Sequence, residues 1–222
     1  MKKAAFYGGT FDPVHCGHIT IAKRLVELFG LDEFYFVPAF HAPHKPDRSP
    51  TSAYHRFAML TAATENEPLL KVSLIELSRR EKRYTIDTLN EILAERPDDQ
   101  IFFVMGADSW NDIRTWRDWE RLLLLTNHVV VSRPGHEISI DHVGVEHRER
   151  IVDLRGQDPA APPASQGLGA WPETRIFLTN AVQMDVSASG IRDDVMDDLV
   201  LDRTDDVPVE VANYIEKYEL YR

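Results

Sequence analysis

Short apolar runs recur along this chain, each followed by a Gly-, Pro- or Asp-rich break and then a longer stretch of helical period. That alternation restricts the fold more than any other feature. Ala4 to Tyr7 is the first apolar run, and Gly8 to His15 breaks it. Gly17 to Phe29 then places Ile19, Ala22, Leu25, Val26 and Phe29 at helical spacing, and Gly30 stops it. Phe34 to Val37 is the next run, ended by Pro38. This is a βαβ unit, and such crossovers build parallel sheets. The pattern continues. Ser52 to Glu65 reads as a helix with Phe57, Leu60 and Ala63 inward, and Val72 to Leu77 as extended. Thr85 to Glu95 reads as a helix with Ile86, Leu89, Ile92 and Leu93 inward. Ile101 to Met105, Val129 to Ser132 and Arg175 to Leu178 read as strands, with closing helices near Gly190 to Leu199 and Pro208 to Tyr218. The sum is an α/β fold: a doubly wound, mostly parallel sheet sandwiched by helices. One domain over 1–222 is expected, with a C-terminal helical part at 187–222 packed on it. Gly156 to Pro172, rich in Pro, Ala and Gly, reads as a surface insertion.

Composition narrows the partners. The chain has 222 residues, 25 Lys+Arg and 36 Asp+Glu, a formal net charge of −11. With 43% hydrophobic and 27% charged residues it is neither a rod nor a disordered chain. The acidic balance and the lack of a basic stripe argue against nucleic acid and anionic lipid, but allow a local cationic pocket. Cys16 is the single cysteine, so no internal disulfide forms, which fits a reducing cytoplasm. The apolar stretch behind Met1-Lys2-Lys3 is too short for a signal peptide, and no run is long enough to span a membrane.

Ligands of open α/β sheets sit beyond the carboxyl ends of the strands. After the first strand comes Gly8-Gly9-Thr10-Phe11-Asp12-Pro13-Val14-His15-Cys16-Gly17-His18. It is neither a Walker A loop nor Gly-x-Gly-x-x-Gly. Its paired glycines admit close approach to backbone N–H groups. Two histidines lie where a helix begins, a position that attracts anions. A metal reading through His15, Cys16 and His18 is disfavoured, because adjacent side chains on a helix start diverge and no second ligand pair such as Cys-x-x-Cys follows. Cys16 as a nucleophile lacks a charge partner beyond those histidines. Ser189 suits an N-cap, which would put Arg192 in a helical first turn, opposed to the dipole unless an anion sits there. Position alone equally allows a surface Arg192 paired with Asp193 or Asp194. Of the clustered tryptophans Trp110, Trp116 and Trp119, Trp119 shares a face with Leu123 and is the expected core residue.

The segment Gly9 to His18 resembles the His-x-Gly-His signature of the nucleotidyltransferase superfamily. Further segments resemble its bacterial nicotinate-nucleotide adenylyltransferase branch. They are His41-Ala42-Pro43-His44-Lys45, Tyr84-Thr85, Gly106-Ala107-Asp108-Ser109, Trp116, Arg133-Pro134-Gly135, Val186 to Arg192, Tyr214-Ile215 and Leu220-Tyr221-Arg222. The resemblance covers nearly the whole chain, apart from Gly156 to Pro172. It implies a Rossmann-like nucleotidyltransferase fold and adenylyl transfer from ATP, with Mg²⁺, to nicotinate mononucleotide. It implies that His15, His18 and Arg192 are catalytic. ATP would be bound by Gly8, Gly9, Thr10, Phe11, His15, His18, Gly106, Asp108, Ser187, Ser189 and Arg192. The mononucleotide would be bound by His44, Lys45, Tyr84, Thr85, Asp108, Trp116 and Arg133. No metal site made by protein ligands alone is implied, and the choice between monomer and homo-oligomer stays open.

Other readings share part of this pattern. The same transfer could serve nicotinamide mononucleotide, phosphopantetheine or a CTP-using variant. A non-catalytic nucleotide sensor would be expected to lack one of His15, His18 and Arg192. A phosphohydrolase with a covalent phosphohistidine would need no acceptor.

Overall fold

A computed structural model of the chain describes residues 1–41, 50–132, 138–156, 173–180, 182, 184, 186–197 and 206–222. Seven strands form one sheet in the order β3-β2-β1-β4-β5-β7-β6, and every adjacent pair is parallel. The strands are β1 (Lys3–Gly9), β2 (Glu33–Pro38), β3 (Leu70–Val72), β4 (Gln100–Gly106), β5 (Asn127–Val131), β6 (Ile151–Asp153) and β7 (Ile176–Thr179). The helices are α1 (Cys16–Phe29), α2 (Ala53–Ala63), α3 (Thr85–Glu95), α4 (Ala107–Asn111), α5 (Trp119–Leu125), α6 (Val145–Arg148), α7 (Ala188–Met196) and α8 (Val209–Lys217).

Successive strand residues point to opposite faces, and the two faces carry separate cores. Ala5 and Tyr7 of β1 join Leu25 of α1, Leu60 of α2, Ile191 of α7 and Ile215 of α8 on one side. Ala4 and Phe6 join Ile86 and Leu89 of α3, Trp110 and Leu122 on the other. The sheet is therefore doubly wound. Its strand order reverses direction at β1 and β4, and the crevice between their carboxyl ends is where such folds bind ligands.

Several expectations shift. The extended segment expected over Val72 to Leu77 ends at Val72; residues 75–79 form a turn in which Ser73 Oγ accepts from the Ile75 N–H at 3.3 Å. Strand β6, absent from the expected set, has only three residues, two partly buried and one exposed, too short an apolar stretch to mark a strand. The buried face of α2 is Ala53, Arg56, Met59 and Leu60, not the Phe57, Leu60 and Ala63 face. Trp110 is the fully buried tryptophan and Trp119 only half-buried, because the short α4 turns Trp110 inward to donate to the Ser139 carbonyl at 2.6 Å. The expected insertion lies outside the described residues from 157 to 172.

At the amino ends of the strands, Glu33 gathers three cations: Lys71 at 2.9 Å, Arg96 at 2.5 Å and Lys2 at 3.4 Å. The Lys71 hydrogen bond, with Arg96 next, holds the Glu33 carboxyl at about 2, below its ordinary 4.5. A carboxyl depressed on folding stabilises the fold above its unfolded pKa and loses that contribution as pH falls toward the folded one. Glu33→Gln is therefore expected to lower unfolding free energy at neutral pH by about 1 kcal/mol. It should also flatten the stability loss of the parent between pH 4.5 and about 2 in urea titrations.

Candidate active site

The loop after β1 leads into α1 through His15, which occupies the N-cap position with extended backbone. The two imidazoles lie against each other, with ring centroids 3.7 Å apart and planes inclined by 32°. The His15 backbone N–H donates to His18 Nδ1 at 3.3 Å. With Nδ1 accepting, a neutral His18 carries its proton on Nε2, which is then a donor. Edge-on packing of Phe11 against His18, 5.0 Å between centroids, holds that ring from the other side. Phe11 has a φ of 51°, a left-handed backbone uncommon for a side chain of this size.

Two glycines make this arrangement possible. A Cβ on Gly9 would stand 2.8 Å from the Phe11 ring. A Cβ on Gly17 would stand 2.8 Å from Val186 Cγ1 and 3.1 Å from His15 Nδ1. Neither neighbour is the far end of a flexible chain.

A cavity of about 210 Å³ opens over the histidines. Its lining includes Gly8, Gly9, Phe11, His15, His18, Gly106 and Asp108, seven of the expected nucleotide-binding residues. A second cavity of about 370 Å³ adjoins it, lined by Tyr84, Thr85 and Trp116 from the expected pyridine pocket. The two share Gly8, Gly9 and Ser109, residues with small side chains or none.

The second cavity is cationic despite the acidic chain. Lys82, Arg83 and Arg117 line it. Arg117 lies 4.9 Å and Lys82 5.5 Å from the Tyr84 ring centroid, both over its face. Glu76 is the acid among them and accepts from the Thr88 hydroxyl at 3.0 Å. Burial pushes its carboxyl above the ordinary value, opposed by the Thr88 bond and the Arg83 charge.

Not every expected residue falls in these cavities. Thr10 lines the second cavity, not the first. Its carbonyl accepts from Arg56 at 2.5 Å. Ser187, not Ser189, caps α7, its Oγ accepting from the Gly190 N–H at 3.1 Å. Both serines fit a cap by type, and the backbone turns helical one residue after the first. Arg192 thus falls in the second turn. Its guanidinium donates to the Asp12 carbonyl at 2.5 Å, and it lines neither cavity. Asp108 sits in the first turn of α4, whose N-cap is Gly106. His44, Lys45 and Arg133 lie outside the described residues.

Arg56 escaped the sequence reading. It is fully buried and donates to three carbonyls: Thr10, Ala39 at 2.6 Å and Thr51 at 2.9 Å. Its one sequence signal is that Met59 and Leu60, three and four positions on, share its face.

Comparison with known proteins settles the family. The cytidylyltransferase-like family model matches residues 6–194. A probable nicotinate-nucleotide adenylyltransferase of Citrifermentans bemidjiense is 35% identical over 214 residues, covering 96% of this chain and 95% of that protein. One from Desulfatibacillum aliphaticivorans is 33% identical over 223 residues, covering 99% of each. The chain belongs to the nicotinate-nucleotide adenylyltransferase family. Its fold is also that of the Plasmodium falciparum nicotinic acid mononucleotide adenylyltransferase solved with NaAD. That match has a TM-score of 0.70 at 21% identity, covering 100% of this chain and 98% of the other.

For a member of this family the His15–Gly17–Val186 contact is a direct handle on the site. Gly17→Ala is expected to displace the His15 ring and lower turnover by about tenfold or more, with the melting midpoint little changed. Steady-state rates and a thermal melt check this together.

Proposed function

We propose that this chain transfers the adenylyl group of ATP to nicotinate mononucleotide, giving deamido-NAD and pyrophosphate. The observation that carries the reading is the pair of cavities meeting at Gly8 and Gly9, histidines on one side and Tyr84, Thr85 and Trp116 on the other. An oxygen of the mononucleotide's 5′-phosphate attacks the α-phosphorus of ATP in line. The new P–O bond forms as the bond to the β-phosphate's bridging oxygen breaks. Such transfer asks for positioning and charge stabilisation more than for covalent help.

His18 would donate from Nε2 to an α-phosphate oxygen, with His15 and the amino end of α1 beside it. Gly8, Gly9 and Phe11 form the wall against which the phosphates lie, and Thr10 holds the loop through its carbonyl. Asp108, in the histidine cavity, would accept from a ribose hydroxyl. Arg192 would meet the β- and γ-phosphates by exchanging the Asp12 carbonyl for phosphate oxygen, with the Ser187 and Ser189 hydroxyls adding donors. His44, Lys45 and Arg133 would approach the mononucleotide phosphate by family resemblance.

The described residues contain no group of three or more His, Cys, Asp or Glu able to hold a metal ion. Among the described residues, Asp108 is the one carboxylate lining the histidine cavity, with hydroxyls from Tyr7, Ser109 and Ser132, a set that fits Mg²⁺ carried mainly by ATP's own phosphates. Mg²⁺ bound there would offset charge on the leaving pyrophosphate. In the second cavity the Trp116 face would stack on the pyridine ring. The Thr85 hydroxyl and the first N–H groups of α3 would meet its carboxylate, and the cations around Tyr84 favour the acid over the amide. No described helix is long and apolar enough to cross a membrane. We infer a cytoplasmic reaction from its use of ATP and from the single cysteine.

The deciding experiment is pyrophosphate release with ATP and Mg²⁺, using nicotinate mononucleotide, nicotinamide mononucleotide or no acceptor. Release with the acid is expected. Release with the amide alone would overturn the specificity, and release without acceptor would indicate a phosphohydrolase. His18→Ala is expected to lose about 10²–10³ in kcat while folding normally. Trp116→Ala is expected to raise acceptor KM about tenfold with a smaller change in kcat, the loss of a stacking face. An unchanged KM would remove Trp116 from the pocket.

A further inference from the structure

Asp12, midway along the loop from β1 to α1, is buried and held from several directions. Its Oδ1 accepts from the Tyr221 hydroxyl at 2.7 Å, and its Oδ2 from the Thr51 N–H at 3.1 Å. Its carbonyl accepts from Arg192 at 2.5 Å. Just past the loop, the Cys16 N–H donates to the Asp206 carbonyl at 2.8 Å. Asp206 and Tyr221 flank α8. The end of the chain therefore grips both ends of the segment Asp12 to Cys16, which contains His15.

The grip is a built one. Tyr221 is buried in the same core as Phe11 and Val14. It takes a φ of 68° and Glu219 a φ of 51°, left-handed conformations that side chains adopt only where their surroundings enforce them. Burial, then the charge and hydrogen bond of Asp12, push the Tyr221 phenol above its ordinary value, so it stays a donor at neutral pH. Tyr214 on α8 accepts or donates at 2.9 Å with His55 on α2, which fixes the helix that delivers Tyr221.

We propose that Tyr221 is a positioning residue for phosphoryl transfer: its hydroxyl holds Asp12, and Asp12 holds the loop that sets the His15 ring against His18. This rests on the reading of His15 and His18 as phosphate ligands. A purely packing role would need only the Tyr221 ring.

Tyr221→Phe separates the two, because it keeps the ring and deletes the donor. The enzyme is assayed well below the melting midpoints of both proteins. Turnover with saturating ATP and nicotinate mononucleotide is expected to fall about tenfold. Acceptor KM is expected to stay within about twofold, since Tyr84 and Trp116 are not on this loop. A second readout needs no turnover. Cys16, the sole cysteine and partly exposed, is labelled with an aromatic disulfide reagent. Its labelling is expected to speed up about fivefold as the loop loosens. Either kcat or labelling rate remaining within about twofold of the parent overturns the proposal, as does a larger rise in acceptor KM. An inactive parent would strike the assigned reaction instead, and the labelling rate would then decide the latch alone.

Discussion

Arg56 carries a full positive charge into the protein interior, where an ion without partners costs several kcal/mol. It does so on α2, behind the loops that form the ligand-binding end of the sheet. Three backbone carbonyls receive its guanidinium: Thr10 after β1, Ala39 after β2, and Thr51 ahead of α2. Burial lowers its pKa from the ordinary value, and the charge of Asp12 opposes that shift; an arginine there still remains a cation. Each carbonyl, in a partly buried segment, receives a charged donor. The three segments are thus fixed relative to one another by one planar group. The Ala39 N–H completes the tie by donating to the Gly9 carbonyl at 2.9 Å. Both cavities inherit their shared wall from this arrangement.

Net charge and local charge point in opposite directions in this chain. The total is −11, yet Lys82, Arg83 and Arg117 gather at one cavity. Field near a ligand depends on the nearest few groups, because exposed charges farther than about 10 Å are screened by salt. An acidic protein of this kind repels polyanions over most of its surface and still receives a small anion at one place. The Glu33 cluster lies at the other, amino end of the strands. The charges that tie the fold at Glu33 and those that line the cavity therefore lie at opposite ends of the sheet.

Much of this was legible in the sequence because it is local. Alternating apolar runs encode strands and helices over a few residues each, and parallel order follows from the crossovers. The Gly8 to His18 loop announces itself because paired glycines and two histidines at a helix start are contiguous. Tyr84, Thr85 and Trp116 meet in one cavity as the family resemblance implies. What escaped is non-local or degenerate. Nothing near Tyr221 points to Asp12, 209 positions away. Arg56 reads as one more helical arginine unless its spacing to Met59 and Leu60 is weighed. Ser187 and Ser189 are equally good caps by residue type, and only backbone geometry chooses. Trp110 is buried because of the way the five-residue α4 turns, which periodicity over so short a stretch does not encode.

The common wall of Gly8 and Gly9 has a thermodynamic consequence. Two ligands in adjoining cavities each lose their own translational freedom on binding. Once joined, they bind as one molecule with two heads, and seating the first head presents the second at high effective concentration. A dinucleotide spanning the wall should therefore be held more tightly than either mononucleotide alone. On the proposed reading, the closeness that lets the reacting groups meet would also make the joined product the ligand slowest to leave.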